Sequence, residues 1–223
     1  MTRNQSIKTV LGALLLCVLP LGQALAYDPG PREGKWDFTV QMRYMDGQNL
    51  NTGDGTSADI NSTLGWGFGF GYNFTNKLAL AMDINWSNPN YKATYIDNLG
   101  NPGTYSGTMY GSTVALNLTY YLTEGAISPF VMGGIGSTFI DTNIPNGLPT
   151  TGCWYDPWWG YICNGYQPTY SVSAFSYNAG IGLRADLAPG FFLRGILQEQ
   201  WVDLSGGTLS TPAFRLDIGF SFR

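Results

Sequence analysis

Apolar and polar residues alternate along most of the chain after residue 34. In residues 35–46, KWDFTVQMRYMD, every even position from Trp36 to Tyr44 is apolar, whereas the odd positions other than Met45 are polar or charged. Successive side chains of a β-strand point to opposite faces. The segment is therefore predicted to be a strand with one apolar face that carries an aromatic residue at each end.

Seven further segments repeat this division into two faces. In the last of them, FRLDIGFSFR, one face is wholly apolar from Phe214 to Phe222, and the other carries arginine, aspartate, glycine and serine. The eight predicted strands are 35–46, 62–72, 77–87, 108–122, 129–140, 172–187, 191–202 and 214–223.

The alternation is less regular in residues 129–140, where neither face is wholly apolar. We expect Val131, Ile135 and Phe139 to face outward there. Gly134 and Gly136 are then expected to face inward, where small residues fit a narrow interior.

Segment 191–202 has a second irregularity, because Glu199 falls on the same face as Leu197 and Trp201. Two explanations are open. A β-bulge near Gln198 would turn the side chain to the other face. Alternatively, Glu199 lies in the headgroup region of a membrane.

The composition of the second face distinguishes a membrane barrel from a soluble sandwich. It is dominated by glycine, alanine, serine and asparagine, with few charges of either sign. Small residues suit the interior of an eight-stranded barrel, and segments of 10 to 16 residues are long enough for the 9 to 11 that a tilted membrane strand needs. We therefore predict an all-β protein, an eight-stranded antiparallel up-and-down transmembrane β-barrel with aromatic girdles.

The connections between these segments are alternately short and long. Bacterial outer-membrane barrels have short periplasmic turns and longer external loops. The long segments are rich in Gly, Asn, Pro and Asp, so they are predicted to be exposed external turns. The short connections are 73–76, 123–126 and 188–190, and the long ones are 46–61, 88–106, 141–171 and 204–212.

The first 26 residues have the features of a secretory signal peptide. Arg3 and Lys8 precede an apolar run over 10–22, and Ala24 and Ala26 form a small-x-small site, so cleavage is expected after Ala26. The barrel domain is then 27–223, with nine basic and fifteen acidic residues. Its net charge of −6 argues against nucleic acid as a partner.

The longest external connection contains two cysteines in the sequence CWYDPWWGYIC. An even pair in an exported protein predicts a disulfide between Cys153 and Cys163. The aromatic residues between them are candidates for surface recognition of a glycan, a protein or lipopolysaccharide. The alternative is that they pack on one another or form a lid over the barrel. They are Trp154, Tyr155, Trp158, Trp159 and Tyr161.

The whole pattern resembles the eight-stranded outer-membrane barrels of the OmpW type and of the OmpA membrane domain. The resemblance is carried by GWGFGFGYNFTNKLALAMDINW (65–86), ISPFVMGGIG (127–136) and DIGFSFR (217–223). It implies a Gram-negative outer-membrane location and contacts with lipid and lipopolysaccharide. It also implies that the barrel assembly machinery reads Phe220 and Phe222, although Arg223 follows them.

Charged residues on the predicted inner face allow two interpretations. Charges in a narrow lumen must pair, since an unpaired buried ion costs several kcal/mol. They form either a neutralising network that plugs the barrel, or a gate or polar path, for which the inward glycines leave some space. The set is Lys35, Asp37, Arg43, Lys77, Asp83, Arg184, Asp186, Arg194, Arg215 and Asp217.

The chain has no histidine, which removes the usual general base and imidazole metal ligands. We therefore expect no enzymatic activity, catalytic residue, metal or cofactor. The predicted function is display of long external loops in a surface-interaction or envelope role, with an extracellular ligand or protein as partner. One alternative, implied by the OmpW-type resemblance, is a conduit for small hydrophobic solutes. A weaker one is a lipid-modifying enzyme that uses carboxylates alone.

Overall fold

The protein is represented by a computed structural model that describes residues 30–51, 57–96, 102–145, 148, 150–166, 169–204 and 207–223. The predicted signal peptide, 1–26, lies outside the described residues. Within those ranges the chain forms thirteen β-strands. No helix in the described part of the chain is long and apolar enough to cross a membrane.

Eight of the strands form a closed antiparallel ring. Its order follows the chain, and the ring is closed by pairing of the first strand with the last, from Trp36 opposite Phe222 to Met45 opposite Ala213. The eight-stranded antiparallel barrel is therefore confirmed. The ring strands are β1 (Trp36–Met45), β4 (Thr63–Asn73), β5 (Leu78–Ser87), β7 (Pro102–Tyr121), β8 (Ile127–Pro145), β11 (Thr169–Ala188), β12 (Phe191–Leu204) and β13 (Gly207–Phe222).

Five shorter strands lie in the long connections, which were predicted to be exposed turns. They are β2 (Gln48–Asn51), β3 (Ser57–Ile60), β6 (Asn90–Ile96), β9 (Thr150–Asp156) and β10 (Gly160–Tyr166). β6 pairs with β3 and with the outer part of β7, so the wall extends beyond the predicted strands. The turn prediction gave weight to Gly, Asn and Pro and neglected the β-branched and aromatic residues of 91–96.

The two faces of the wall have opposite character. On β1, the apolar residues from Trp36 to Tyr44 are exposed, and the alternate residues from Asp37 to Arg43 are buried. The same division runs through the other ring strands and leaves an apolar belt around the outside. A belt of this extent is far larger than the apolar patches of soluble proteins. It is the lipid-contacting surface of a transmembrane barrel.

The predicted facing of 129–140 is confirmed. Val131, Ile135 and Phe139 are exposed on the outer face of β8. The alternation in the sequence is obscured because Phe130 and Met132 are buried inside the barrel. This strand therefore carries large apolar residues on both faces.

The proposed bulge near Gln198 is wrong. β12 pairs in unbroken register with β13 from Phe191 to Leu204, and Gln198 lies buried on the inner face. Glu199 accordingly stays on the outer side, beside Trp201, and its carboxylate accepts a hydrogen bond from the hydroxyl of Ser210 on β13. Its location in the headgroup region stays a prediction.

At several inward glycines, a neighbouring side chain lies so close to the backbone that a Cβ would collide with it. A Cβ at Gly182 would lie within 3 Å of the Phe130 ring, and a Cβ at Gly219 would collide with the ring of Phe192. At Gly69 it would collide with polar atoms of three neighbouring side chains. At these three positions the space that glycine leaves is therefore already filled, and it does not provide a path through the lumen.

Leu116, at the middle of the membrane part of β7, and Leu148, in the longest connection, are both exposed. We expect Leu116→Arg to lower the free energy of unfolding by about 2–4 kcal/mol, because an arginine near the bilayer midplane loses its hydration. Urea titration of the protein folded in lipid vesicles measures this. Leu148→Arg is the matched control and should leave the titration unchanged. Equal effects of both variants would contradict a lipid-facing position for Leu116.

Candidate functional site

The lumen contains a cluster of buried charges. Of the ten residues that sequence analysis placed there, eight are at most 6 % exposed. The structure adds one more buried charge, Arg32, among the described residues. The eight are Asp37, Arg43, Asp83, Arg184, Asp186, Arg194, Arg215 and Asp217.

Arg184 organises the part of the cluster nearest the short turns. Its Nη1 donates to Oδ2 of Asp37 at 2.6 Å, and its Nε donates to Oδ1 of Asp186 at 2.9 Å. Nη2 donates to the hydroxyl of Ser221, which itself donates to Asp37 at 2.5 Å. The guanidinium lies 3.6 Å from the centre of the Phe192 ring. Arg184 is therefore held on its edges by acceptors and on one face by an aromatic ring.

Arg32 closes the barrel at the same end. Its Nη2 donates to Asp186 at 3.0 Å, to the hydroxyl of Ser128 at 2.6 Å and to the carbonyl of Gly125 at 2.8 Å. The guanidinium also lies 4.7 Å from the centre of the Tyr121 ring. Sequence analysis missed this residue because it precedes the alternating segment, so no periodicity marks it as inward-facing.

Asp83 is the centre of a second group in the middle of the barrel. Its Oδ1 accepts from Gln41 at 2.7 Å, and its Oδ2 accepts from Asn117 at 2.7 Å and from Arg215 at 2.9 Å. Asn178 donates to Asn117 at 2.9 Å and so extends the chain of hydrogen bonds. Both oxygens of this buried carboxylate are therefore hydrogen-bonded by the protein.

Asp217 joins two arginines in the same region. Nη2 of Arg194 lies 2.9 Å from Oδ2 of Asp217. Nε of Arg215 lies 3.0 Å from Oδ1, but this contact is an ion pair without the alignment of a hydrogen bond. Arg215 therefore links Asp83 and Asp217 into one continuous network.

Apolar side chains fill the rest of the lumen at the end with the short turns. Tyr121, Phe130, Phe192 and Ile196 are fully or almost fully buried. The cavity between Thr39, Thr119 and Arg194 has a volume of only about 10 Å³. That is about the least space that holds one water molecule. Within the described residues, packing and ion pairs together fill this half of the barrel.

Two predicted members do not join the cluster. Lys77 lies at a short turn, where its Nζ is 3.7 Å from Oε1 of Glu124 and its side chain is 42 % exposed. Lys35 lies half-buried just before β1, and its backbone bonds to Arg32 and Asn73. Both residues were predicted to face the lumen because the alternation of apolar and polar residues was extended to them. They lie just before β1 and β5, where the barrel wall has ended.

The predicted disulfide is present at the outer end of the barrel. Cys153 and Cys163 are directly opposite each other on β9 and β10, with Cα atoms 4.1 Å apart. The two strands are joined by a turn over 157–159 that ends at Gly160. Gly160 has a φ of 73°, in the left-handed region that glycine adopts without strain. The cysteines and the turn together define an aromatic hairpin, residues 150–166.

Four aromatic side chains of this hairpin are exposed to solvent. Trp158 is 88 % and Trp159 is 81 % exposed, and Tyr161 and Tyr155 are 79 % and 65 % exposed. The two tyrosine rings pack edge to face, 5.3 Å apart. The side chain of Trp154 lies outside the described residues. A lid would bury the tryptophans at its contact with the barrel, and the exposure of these two does not fit that alternative.

Phe220 and Phe222, the predicted assembly signal, are exposed on the outer face of β13. They stand opposite Phe38 and Trp36 on β1. Their recognition by the barrel assembly machinery stays a prediction.

A closed ring with a lipid-facing apolar exterior and a polar, filled interior defines an outer-membrane β-barrel. The outer membrane protein beta-barrel domain family matches residues 11–222, and the chain belongs to this family. It is a protein of the bacterial outer membrane, and the resemblance drawn from its sequence is confirmed. No curated protein matches the chain at significant sequence similarity.

Solved structures of small outer-membrane barrels share the fold. OprG of Pseudomonas aeruginosa aligns with a TM-score of 0.52 and 14 % identity, over 88 % of this chain and all of that one. Neisserial surface protein A aligns with a TM-score of 0.52 and 12 % identity, over 85 % of this chain and 98 % of that one. Ail of Yersinia pestis was solved with the heparin analogue sucrose octasulfate. It aligns with a TM-score of 0.51 and 13 % identity, over 85 % of this chain and 99 % of that one. At these identities the similarity shows the fold alone.

Loss of a buried partner should destabilise the barrel far more than loss of an exposed one. We expect Arg184→Met to lower the free energy of unfolding by about 3–5 kcal/mol, because Asp37 and Asp186 would stay buried without their cation. Lys77→Met also replaces a cation with methionine, but in an exposed ion pair. It should change the free energy of unfolding by less than about 1 kcal/mol. Urea unfolding in lipid vesicles compares the two. Similar values for both variants would show that the lumen network contributes little to stability.

Proposed function

We propose that this barrel is a non-enzymatic display protein that binds an extracellular partner through its aromatic hairpin. The observation that carries the proposal is the exposure of Trp158 and Trp159 at the tip of a hairpin closed by a disulfide. Aromatic side chains that stay largely exposed to water leave a large apolar area unburied, and such surfaces mark sites of interaction. The disulfide restricts the hairpin before binding, so less entropy is lost when the partner is bound.

The chemistry of the hairpin favours a neutral glycan over a sulfated one. Residues 150–166 contain no lysine or arginine and one acidic residue, Asp156. A polyanion such as the heparin analogue bound to Ail needs cationic side chains, which this hairpin does not offer. Exposed indole and phenol rings instead present flat faces on which the C–H groups of a sugar ring can stack.

The remaining surfaces support an envelope role without catalysis. The apolar belt contacts outer-membrane lipid, and the long connections extend into the lipopolysaccharide region. The buried carboxylates of Asp37, Asp83, Asp186 and Asp217 are engaged with arginines, so none is available as a general base. The conduit alternative would require both the ion pairs and the aromatic packing of the lumen to be displaced.

Replacement of the tip tryptophans tests the display proposal. We expect bacteria that carry the wild-type protein on their surface to bind at least one neutral glycan on a printed array of neutral and sulfated glycans. Trp158→Ala/Trp159→Ala should abolish this binding, because it removes most of the exposed aromatic area. Phe74→Ala, an exposed aromatic at the opposite end of the barrel, is the matched control and should bind as wild type. Unchanged binding by the double variant, or binding only to sulfated glycans, would refute the proposal.

Bilayer conductance tests the sealed lumen. Because packing and ion pairs fill the periplasmic half of the barrel, we expect no sustained openings from the refolded protein, either oxidised or with the Cys153–Cys163 bond reduced. Sustained openings in both states would support the conduit alternative. Openings that occur only after reduction would indicate that the hairpin acts as a lid.

A further inference from the structure

The buried charges of the lumen do not balance. Among the described residues, five arginines and four aspartates are buried, an excess of one positive charge. Arg32, Arg184, Arg194 and Arg215 each pair with at least one aspartate. Arg43 is the remaining arginine, and it has no carboxylate partner in the described part of the chain.

The surroundings of Arg43 leave its charge largely uncompensated. Arg43 is 4 % exposed and stands directly opposite Arg215 on β13, so another cation is its cross-strand neighbour. Its Nη2 donates to Oε1 of Gln200 at 2.5 Å. Its Nε is buried without an acceptor. A guanidinium in such a position lacks the anionic partner that buried charges require.

Gln200 is fixed in the orientation that serves Arg43. Its Nε2 donates to the hydroxyl of Thr138 at 3.1 Å, and the hydroxyls of Thr138 and Thr113 are 3.0 Å apart. These contacts direct the amide oxygen of Gln200 toward Arg43. They hold the arginine in place without neutralising it.

Arg43 lines a cavity at the long-loop end of the barrel. The cavity has a volume of about 100 Å³ and lies on the outer side of the charge network. Gln200, Thr113 and Thr138 line it together with Arg43, and apolar walls come from Met109, Ile140, Val202 and Leu209. It therefore combines one uncompensated cation with a mainly apolar wall.

We propose that this cavity binds a small monocarboxylate with a short apolar chain. A carboxylate offers two acceptor oxygens that match the fork of a guanidinium. An apolar cavity of about 150 Å³ holds benzene, which has as many non-hydrogen atoms as a four-carbon acid. The present cavity of about 100 Å³ is smaller but is open on one side, so it suits an acid of up to about four carbons. The acid supplies the missing negative charge, and its chain replaces water along the apolar walls.

The ligand reaches the site from outside the cell and cannot pass through. Asp46 lies at the rim, exposed, and its carboxylate accepts from the backbone N–H of Gly47 at 3.0 Å. This acidic group is turned to its own loop and does not pair with Arg43. Below the cavity, the packed lumen blocks the way to the periplasm. The site is therefore a pocket with one opening, and it is independent of what the aromatic hairpin binds.

Titration calorimetry of the refolded protein in detergent, with butyrate as the probe, tests this proposal. We expect saturable binding of one butyrate per barrel and weaker binding of acetate, which lacks most of the apolar chain. Butyramide, which has the same shape without the charge, should bind at least about tenfold more weakly, as expected for the loss of a charge-assisted hydrogen bond. No butyrate binding, or equal affinity for butyramide, would overturn the proposal.

Two variants locate the site. Arg43→Met should lower butyrate affinity by about tenfold or more, and it should fold, since it leaves the lumen charges balanced. Val202→Phe keeps Arg43 and fills the cavity with a ring, so it should also weaken binding. Lys77→Met removes a cation at the opposite end of the barrel and should bind as wild type. If Arg43→Met and Val202→Phe both retain wild-type affinity, butyrate binds elsewhere and the assignment is wrong. If acetate and chloride bind as tightly as butyrate, the site is a general anion site and the apolar selectivity is wrong.

Discussion

A β-sheet in hydrocarbon cannot leave backbone N–H and C=O groups unpaired, and this constraint determines the architecture of the whole chain. Pairing of β1 with β13 removes the two free edges that the sheet would otherwise have. Once the ring is closed, each strand has one face toward lipid and one toward the lumen. The lipid side is then restricted to apolar residues, and the lumen must be either wet or fully packed and neutral.

At the end with the short turns, the lumen of this barrel is packed, and the packing places large side chains against glycines. Gly182 and Gly219 provide the space that the rings of Phe130 and Phe192 occupy. The Phe192 ring in turn covers one face of Arg184, whose edges are held by Asp37 and Asp186. Backbone, aromatic packing and ion pairs therefore depend on one another, and no one of them fills the lumen alone.

The alternation of apolar and polar residues was sufficient to predict the ring strands. The backbone geometry of a strand makes successive side chains point to opposite faces, whatever the rest of the fold. The alternation also placed residues such as Asp83 and Arg215 on the lumen side. The alternation did not identify Arg32 as a lumen residue, because Arg32 lies outside a strand. It wrongly assigned Lys77 to the lumen, because Lys77 lies at a turn beyond the end of the barrel wall. It could not distinguish an aromatic residue in lipid from one in the lumen, which is why Phe130 made β8 ambiguous. The pairing of individual charges depends on which strands meet across the barrel, and one strand's sequence does not contain that information.

The two sites proposed for binding are the places where the chain departs from these constraints. The exposed aromatics of the belt face lipid, but Trp158 and Trp159 lie on a hairpin outside the ring strands and are more than 80 % exposed. Every other buried arginine among the described residues has an aspartate, but Arg43 has only an amide oxygen. Neither feature closes the ring or neutralises the lumen, and each carries a free-energy penalty in the unbound protein. Both departures lie at the long-loop end of a structure that otherwise buries or pairs such groups. Ligands that cover the aromatic area and neutralise the arginine explain them best.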